Sequence, residues 1–459
     1  MMPKISKLNV PEKPRKLVVF PQKIGSLVIN GFHHGREESN YEEMESGEEL
    51  QTFDLTREFA LKQMIKDQCY DFDDELISFP QNKNRKSESI VLHACNDDDK
   101  RSDLEYEISR KEINLEKLQR VASSGIPDGG SLRATIWKLL LGYLPTSRDL
   151  WEKELNESRL KYDKLKEEFL RKPSELSCRK DKSMILLGHD TSSGVIEPLK
   201  RYNISKEDHP LSLGKTSIWH QYFEFTEISE QIDRDLQRTH PDLEFFSGDS
   251  SLSTKNKESM RNVLLLFAKL NPAISYVQGM NEVLAPLYYV FNTDNDERNV
   301  ANIEADTFSC FVILMSSCVD HFCQQFDCGS FGVHSTLSKL SELLKTNDEE
   351  LWHHLEFKTK VNPQFYAFRW ITLLLTQEFS LHHIVRIWDT LLSNPFGLQE
   401  MLLRICCAML MCVKSKLIRG DFVGNLKLLQ HFPEVDVEHL LQVAQGINMD
   451  TSFHSTIFR

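Results

Sequence analysis

No apolar run in this chain is long enough to cross a bilayer. The most apolar window, Ile405 to Val413, is closed by Arg404 on one side and by Lys414 and Lys416 on the other. A spanning helix needs about 20 apolar residues. A secretory leader is missing too: Met1 to Arg15 holds Lys, Glu and three prolines but no apolar stretch of signal length. Positive charge is not in excess, since the formal net charge is -13. That argues against a general nucleic-acid binder, which needs Lys and Arg for phosphate, and against unassisted adhesion to anionic membrane. The ten cysteines follow no regular disulfide spacing, and Cys406 and Cys407 sit side by side in an apolar run. Such usage fits reduced, buried thiols in the cytosol. Catalytic signatures are absent as well: there is no HExxH, no GxSxG and no glycine-rich dinucleotide turn.

What is present can build a large core, with 40% hydrophobic and 27% charged residues over 459 positions. That length allows two or three domains, or one large domain with extensions. Residues 1–112 read as an acidic, mostly disordered extension. Arg36 to Glu49 and Asn96 to Glu107 are dense in Asp, Glu, Ser and Asn, and such segments cannot offset chain entropy by burial. Lys16 to Phe20 and Ser26 to Asn30 have the β-branched content of short strands. The extension is either a docking or regulatory tail or a spacer.

From about Ile113 the periodicity becomes helical. Trp151, Leu155, Tyr162, Leu165 and Phe169 recur at helical spacing between charged residues. Phe365 to Phe379, Leu381 to Leu392 and Met401 to Val413 are richer runs of the kind that make buried helices. Breaks fall at Pro145, Pro210, Pro241, Asn271-Pro272, Asn362-Pro363 and Asn394 to Gly397. Strand-like alternation is scarce, so the expected class is all-α. Ser247 to Lys257 reads as an exposed loop, followed by a helix from Arg261 to Leu270.

Several groupings suggest chemistry and do not carry it. Gly214-Lys215-Thr216 lacks the Gly five residues earlier that a phosphate loop requires, because His209 sits there. Cys318, His321, Cys323 and Cys328 are clustered, but not at the paired spacing that closes a zinc tetrahedron. His353-His354 and His382-His383 point to different helix faces. No metal site is expected.

Two strings are more informative. Ile232-Asp-Arg-Asp-Leu-Gln-Arg238 sets an Arg on a helix one turn after Asp235, and Tyr276-Val-Gln278 sets a Gln in a short irregular stretch before a helix. Taken singly, the first is an ordinary surface ion pair of small value and the second a common turn residue. Taken together, a permanently charged guanidinium and a water-orienting amide are what a slow GTPase needs from outside.

Gly125-Ile-Pro-Asp-Gly-Gly-Ser-Leu-Arg-Ala-Thr-Ile-Trp137 resembles the opening motif of TBC domains, the GTPase-activating domains for Rab GTPases. Arg238 with the following Thr239-His-Pro241, Tyr276 to Asn281, Glu304 to Phe308, Phe368-Arg-Trp370 and Arg386-Ile-Trp-Asp389 match further motifs of that family, in its order. The resemblance covers about 113–445, with a motif core at about 126–395, and within the family it is greatest to the member-13 subgroup. It leaves 446–459 as a tail.

The resemblance implies a two-lobed, V-shaped helical domain that is not itself the GTPase. Arg238 would be an arginine finger and Gln278 a glutamine finger, both supplied in trans, with Asp235 holding the Arg and Tyr276 fixing the Gln-bearing stretch. Arg386, Trp388 and Asp389 would be scaffold. The implied partner is a GTP-bound Rab, whose Mg-GTP is the only nucleotide involved; no cofactor of the chain's own and no nucleic acid are implied. A role in vesicle trafficking follows, with a cytoplasmic location and peripheral endomembrane association through the Rab. The alternatives are a catalytically silent Rab-binding module and a helical scaffold of another family, and the latter would leave Arg238 and Gln278 far apart.

Overall fold

The computed structural model describes residues 86–170, 218–248, 250–293, 297–322 and 332–448. The short strands expected at 16–20 and 26–30, the acidic stretch 36–49, Gly214 to Thr216 and the tail from 449 onward lie outside the described residues. Backbone contacts set 32–96 apart from the rest. Of that unit only the backbone of 86–96 is described, and it is helical.

The described residues form an all-helical structure. In chain order the main elements are α1 (Lys86–Ser109), α2 (Leu115–Ala122), α3 (Leu132–Leu140), α4 (Trp151–Phe169) and α5 (Ile218–Arg238). Then come α6 (Ser251–Leu270), α7 (Met280–Asn292), α8 (Ile303–Phe322), α9 (Val333–Asn347) and α10 (Ala367–Thr372). The last are α11 (Leu381–Ser393), α12 (Leu398–Cys412), α13 (Phe422–Gln430) and α14 (Val437–Gly446). The one strand-like pairing among the described residues is an isolated antiparallel bridge between Glu112 and Ser147. No described helix is long and apolar enough to cross a membrane.

Packing gathers these helices into two groups. In one, α6 is central and touches α4, α5, α7 and α8. Its apolar run Val263 to Ala268 is buried. In the other, α12 is central and meets α9, α10, α11 and α14. Cys406 and Cys407 lie fully buried in α12, where thiols behave as small apolar side chains. Contacts of α7 with α11 and of α8 with α10 join the groups. Trp137, Trp370 and Trp388 are among the largest wholly buried side chains. Each stabilises the fold by a few kcal/mol or about 25 cal/mol per Å² of apolar area removed from water.

Three stretches depart from expectation. Asn96 to Glu107 is helical rather than structureless, and Leu104 is 0% exposed. Its charge is used locally: the buried Glu107 carboxylate accepts the Asn114 amide at 2.8 Å and Arg110 Nη1 at 2.9 Å and pairs with Lys117 at 3.3 Å. Burial alone would raise this carboxyl, but those partners hold it below its usual range. The loop expected over Ser247 to Lys257 ends early, because Ser250 caps α6 by accepting the Ser253 amide at 3.0 Å. Ser253 and Asn256 then point inward, and Asn256 Nδ2 donates to the Phe245 carbonyl at 3.0 Å. The run Phe365 to Phe379 is not one buried helix. It breaks after Thr372, and Leu374 and Leu375 follow at φ 50° and 66°, while Phe365 and Phe368 are exposed.

Candidate functional site

Arg238 is the last residue of α5. A cation there suits the negative end of the helix dipole. Its side chain is 67% exposed, whereas Asp235, one turn earlier, is 4% exposed. Nη2 of Arg238 donates to Asp235 Oδ1 at 2.6 Å, a charge-assisted bond. The remaining guanidinium donors have no other partner among the described residues. Past Arg238 the chain turns sharply through His240, at φ 40°.

Gln278 lies in the stretch between α6 and α7, with its side chain exposed. Ser275 at φ 58° and Gly279 at φ 103° bound this stretch, so it is tightly turned at both ends. Gly279 tolerates a side chain only at a cost. Besides its left-handed backbone, an added Cβ would run into Cδ2 of Leu373.

Beneath the exposed pair the two strings are joined by buried hydrogen bonds. Tyr276 donates its hydroxyl to Asp235 Oδ2 at 2.8 Å, so one carboxylate binds both Arg238 and the Gln-bearing stretch. Burial and that carboxylate keep the phenol protonated by raising its pKa. Asn281, the second residue of α7, accepts the Gly279 amide on Oδ1 at 3.1 Å. Its Nδ2 donates to Thr239 Oγ1 at 2.9 Å and to Glu282 Oε1 at 3.1 Å. Thr239 in turn donates to the Asp235 carbonyl at 3.0 Å. Glu282 is buried, and burial with the nearby Asp235 carboxylate pushes its pKa up to about 7. His240 Nε2 stands 3.9 Å from Glu282 Oε2, and burial pulls the imidazole below its usual pKa.

Neither Asn281, Thr239 nor Glu282 stood out in the sequence, although Thr239 and Asn281 lie within the two motif strings. A buried acid inside an apolar helix, as Glu282 is in α7, was the available signal.

A second layer ties this corner to the remaining motifs. Leu373, against Gly279, precedes the left-handed pair Leu374 and Leu375, and the Leu374 carbonyl accepts Trp388 Nε1 at 3.2 Å. Next to Trp388, Asp389 is wholly buried and accepts the Ile126 amide at 3.0 Å, Trp137 Nε1 at 2.8 Å and Arg133 Nε at 3.2 Å. Gly125, at φ 99°, leaves room for the Arg386 side chain, which reaches Glu438 at 2.6 Å. Asp389 is thus bonded to the Gly125–Trp137 segment, Trp388 packs its ring 5.8 Å from that of Trp137, and Arg386 is partly buried beside Gly125. Asp306, from the Glu304–Phe308 string, is a similar hub for Lys138 at 2.8 Å, Tyr143 at 2.9 Å and Arg159 at 2.8 Å. Burial would raise its carboxyl, but the two cations hold it below the usual range.

Metal chemistry finds no foothold among the described residues, where no cluster of three or more His, Cys, Asp or Glu could hold an ion. Cys318 is buried in α8, and the side chains of His321, Cys323 and Cys328 lie outside the description.

The Rab-GTPase-TBC domain family model matches residues 184–418. The human protein TBC1 domain family member 13 is 34% identical over 406 residues, spanning 75% of this chain and 97% of that protein. A TBC domain-containing protein of Schizosaccharomyces pombe is 29% identical, over 73% of this chain and 70% of its own. Among solved structures, the Ypt/Rab-GAP domain of Gyp1p superposes with a TM-score of 0.57 at 24% identity, covering 76% of this chain and 97% of that domain.

Proposed function

The chain belongs to the Rab-GTPase-TBC domain family, and on that footing we propose that it accelerates GTP hydrolysis by a Rab GTPase, supplying Arg238 and Gln278 in trans. One observation carries the reading. Both side chains are exposed, and the buried Asp235 carboxylate that holds one nitrogen of Arg238 also accepts Tyr276, two residues before Gln278, so one carboxylate links the two segments.

In this mechanism the nucleotide and its magnesium belong to the partner. Asp235 occupies one guanidinium nitrogen and leaves the other donors to face the phosphates, where charge builds on the phosphoryl oxygens as the bond to the leaving group breaks. An arginine supplied in trans is worth about three to five powers of ten in rate, or roughly 4 to 7 kcal/mol. An ordinary exposed ion pair, by comparison, is worth under about 1 kcal/mol. Gln278 orients the attacking water. Its amide accepts from water and donates to a phosphate oxygen at once, which an ionised Glu cannot do. Regulation of vesicle trafficking follows, with the protein reaching endomembranes through the Rab it serves.

Single-turnover GTP hydrolysis across a panel of Rabs tests this, with wild type, Arg238→Ala and Gln278→Ala. The expected outcome is stimulation of at least one Rab by wild type and a loss of about a thousandfold or more with Arg238→Ala. Equal rates for all three proteins on every responsive Rab would overturn it. The rival reading, a catalytically silent Rab-binding module, predicts instead that wild type stimulates no Rab while GTP-loaded Rab still binds Arg238→Ala.

A further inference from the structure

Asn281 occupies an unusual position relative to the two proposed fingers. Its carboxamide oxygen takes the amide proton of Gly279, the residue after Gln278. Its carboxamide nitrogen donates to the hydroxyl of Thr239, the residue after Arg238. The side chain is 3% exposed, so water offers neither neighbour an alternative partner. Orientation of the amide is fixed by chemistry: reversed, it would set its NH2 against the Gly279 N–H, donor against donor. The second Nδ2 proton goes to Glu282 Oε1 at 3.1 Å, and the Tyr276 hydroxyl lies 3.2 Å from Oδ1, so both ends of the amide are held. No other described side chain bonds to the residues following both Arg238 and Gln278.

We propose that Asn281 is a positioning residue, setting the spacing between Arg238 and Gln278 by holding the backbone immediately after each. The inference rests on the Rab-activating reading for its kinetic consequence but not for its geometric one. A water and a phosphoryl group must be engaged together, so a rigid distance between the two fingers matters more than the freedom of either. Misplacement on the order of 1 Å in such a site costs about a hundredfold in rate. Bound Rab in its ground state touches a wide surface and is insensitive to that distance, so the effect belongs in kcat rather than KM.

Two variants remove the link from opposite sides. Asn281→Ala deletes the whole carboxamide, and Thr239→Val deletes only the hydroxyl that receives it, with little change of shape. Hydrogen exchange on the full chain, without any Rab, reads the geometry: in Asn281→Ala, protection at Thr239 and His240 and at 279–281 falls together, while α12 stays as in wild type. Loss on one side only, or none, overturns the inference whatever the activity assays give.

With a responsive Rab, Asn281→Ala lowers kcat at least tenfold with KM within about threefold of wild type. The double variant then costs less than the sum of the two single losses, since the Asn281–Thr239 bond is common to both changes. Binding to GDP–aluminium fluoride-loaded Rab weakens in step with kcat, while binding to a non-hydrolysable GTP analogue does not. Additive losses, or equal loss of both complexes, assign Asn281 a general folding role instead. Failure of wild type to stimulate any Rab would remove the proposed function, and the exchange result would still stand or fall by itself.

Discussion

Tyr276 and Asp235, 41 positions apart, are joined at 2.8 Å through the phenol hydroxyl and the carboxylate that also holds Arg238. The bond crosses between the two segments proposed to act on the nucleotide. Because the carboxylate is buried, losing the phenol leaves Oδ2 without a strong donor. Tyr276→Phe is therefore expected to cost about 1 to 3 kcal/mol of stability. Thermal or urea unfolding measures this directly, and the same variant should slow Rab-stimulated hydrolysis on the order of tenfold. An unchanged unfolding midpoint together with an unchanged rate would show the bond to be idle.

Gly279 faces two separate obstacles to substitution, its φ of 103° and the Leu373 side chain. Gly279→Ala is expected to destabilise the protein by about 1 to 3 kcal/mol and to slow stimulated hydrolysis as Gln278 shifts. Trimming the neighbour in Gly279→Ala/Leu373→Ala relieves the collision but not the backbone strain. Recovery of activity in the double variant should be partial. Full recovery would mean that the backbone angle is unimportant.

Glu282 carries a pH dependence whose sign follows from its raised pKa. Its ordinary value is 4.5, and in the folded protein it is pushed up to about 7. Below 4.5 both folded and unfolded chains hold the proton and there is no penalty. Between the two values the folded state binds more protons, so stability falls as pH rises, and above about 7 the full cost is present. That cost is about 3 kcal/mol. Glu282→Gln removes it, so the variant should gain on wild type in unfolding free energy between pH 5 and pH 8. A constant difference across that range would mean that Glu282 titrates normally.

Asp306 sits among Lys138 and Arg159 and is 1% exposed. Asp306→Ala leaves two cations without their shared counter-charge and should cost about 3 to 5 kcal/mol. The loss is one of stability: well below the lowered melting temperature, kcat toward a Rab should stay near wild type. A large kcat effect in folded protein would give this hub a role in the chemistry.

Short-range features were legible in the sequence, and long-range ones were legible only as motif identity. The spacing of Asp235 and Arg238 on one helix dictates their meeting, and α4 follows from the recurrence of Trp151, Leu155, Tyr162, Leu165 and Phe169. Nothing local says that Asp235 also receives Tyr276, or that Asn281 reaches Thr239, because those bonds depend on how α5 packs beside α6 and α7. Polar residues misled where they were put to structural use: Ser250 as a cap, Asn256 as an interior donor and Glu107 as a buried acceptor. The run after Phe365 misled for the opposite reason. Apolar content fixed burial of Leu373 to Leu375, but the Gly279 contact and the Trp388 bond go with a turn rather than a helix.

The helical stretch before Ile113 has a practical consequence for anyone cutting the chain. A fragment begun at Ile113, where the motif-bearing region opens, would discard Lys100, which donates to the Ser124 carbonyl at 3.2 Å, and Arg101, which donates to the Gly129 carbonyl at 3.2 Å. It would also discard the buried Leu104 and Glu107, the latter bonded to Asn114 and Lys117 at the start of α2. The segment so loosened, 124–129, is the one that reaches Asp389 through Ile126. Trimming to the motif boundary would therefore weaken the protein, and a cut that keeps these contacts lies upstream of Lys100.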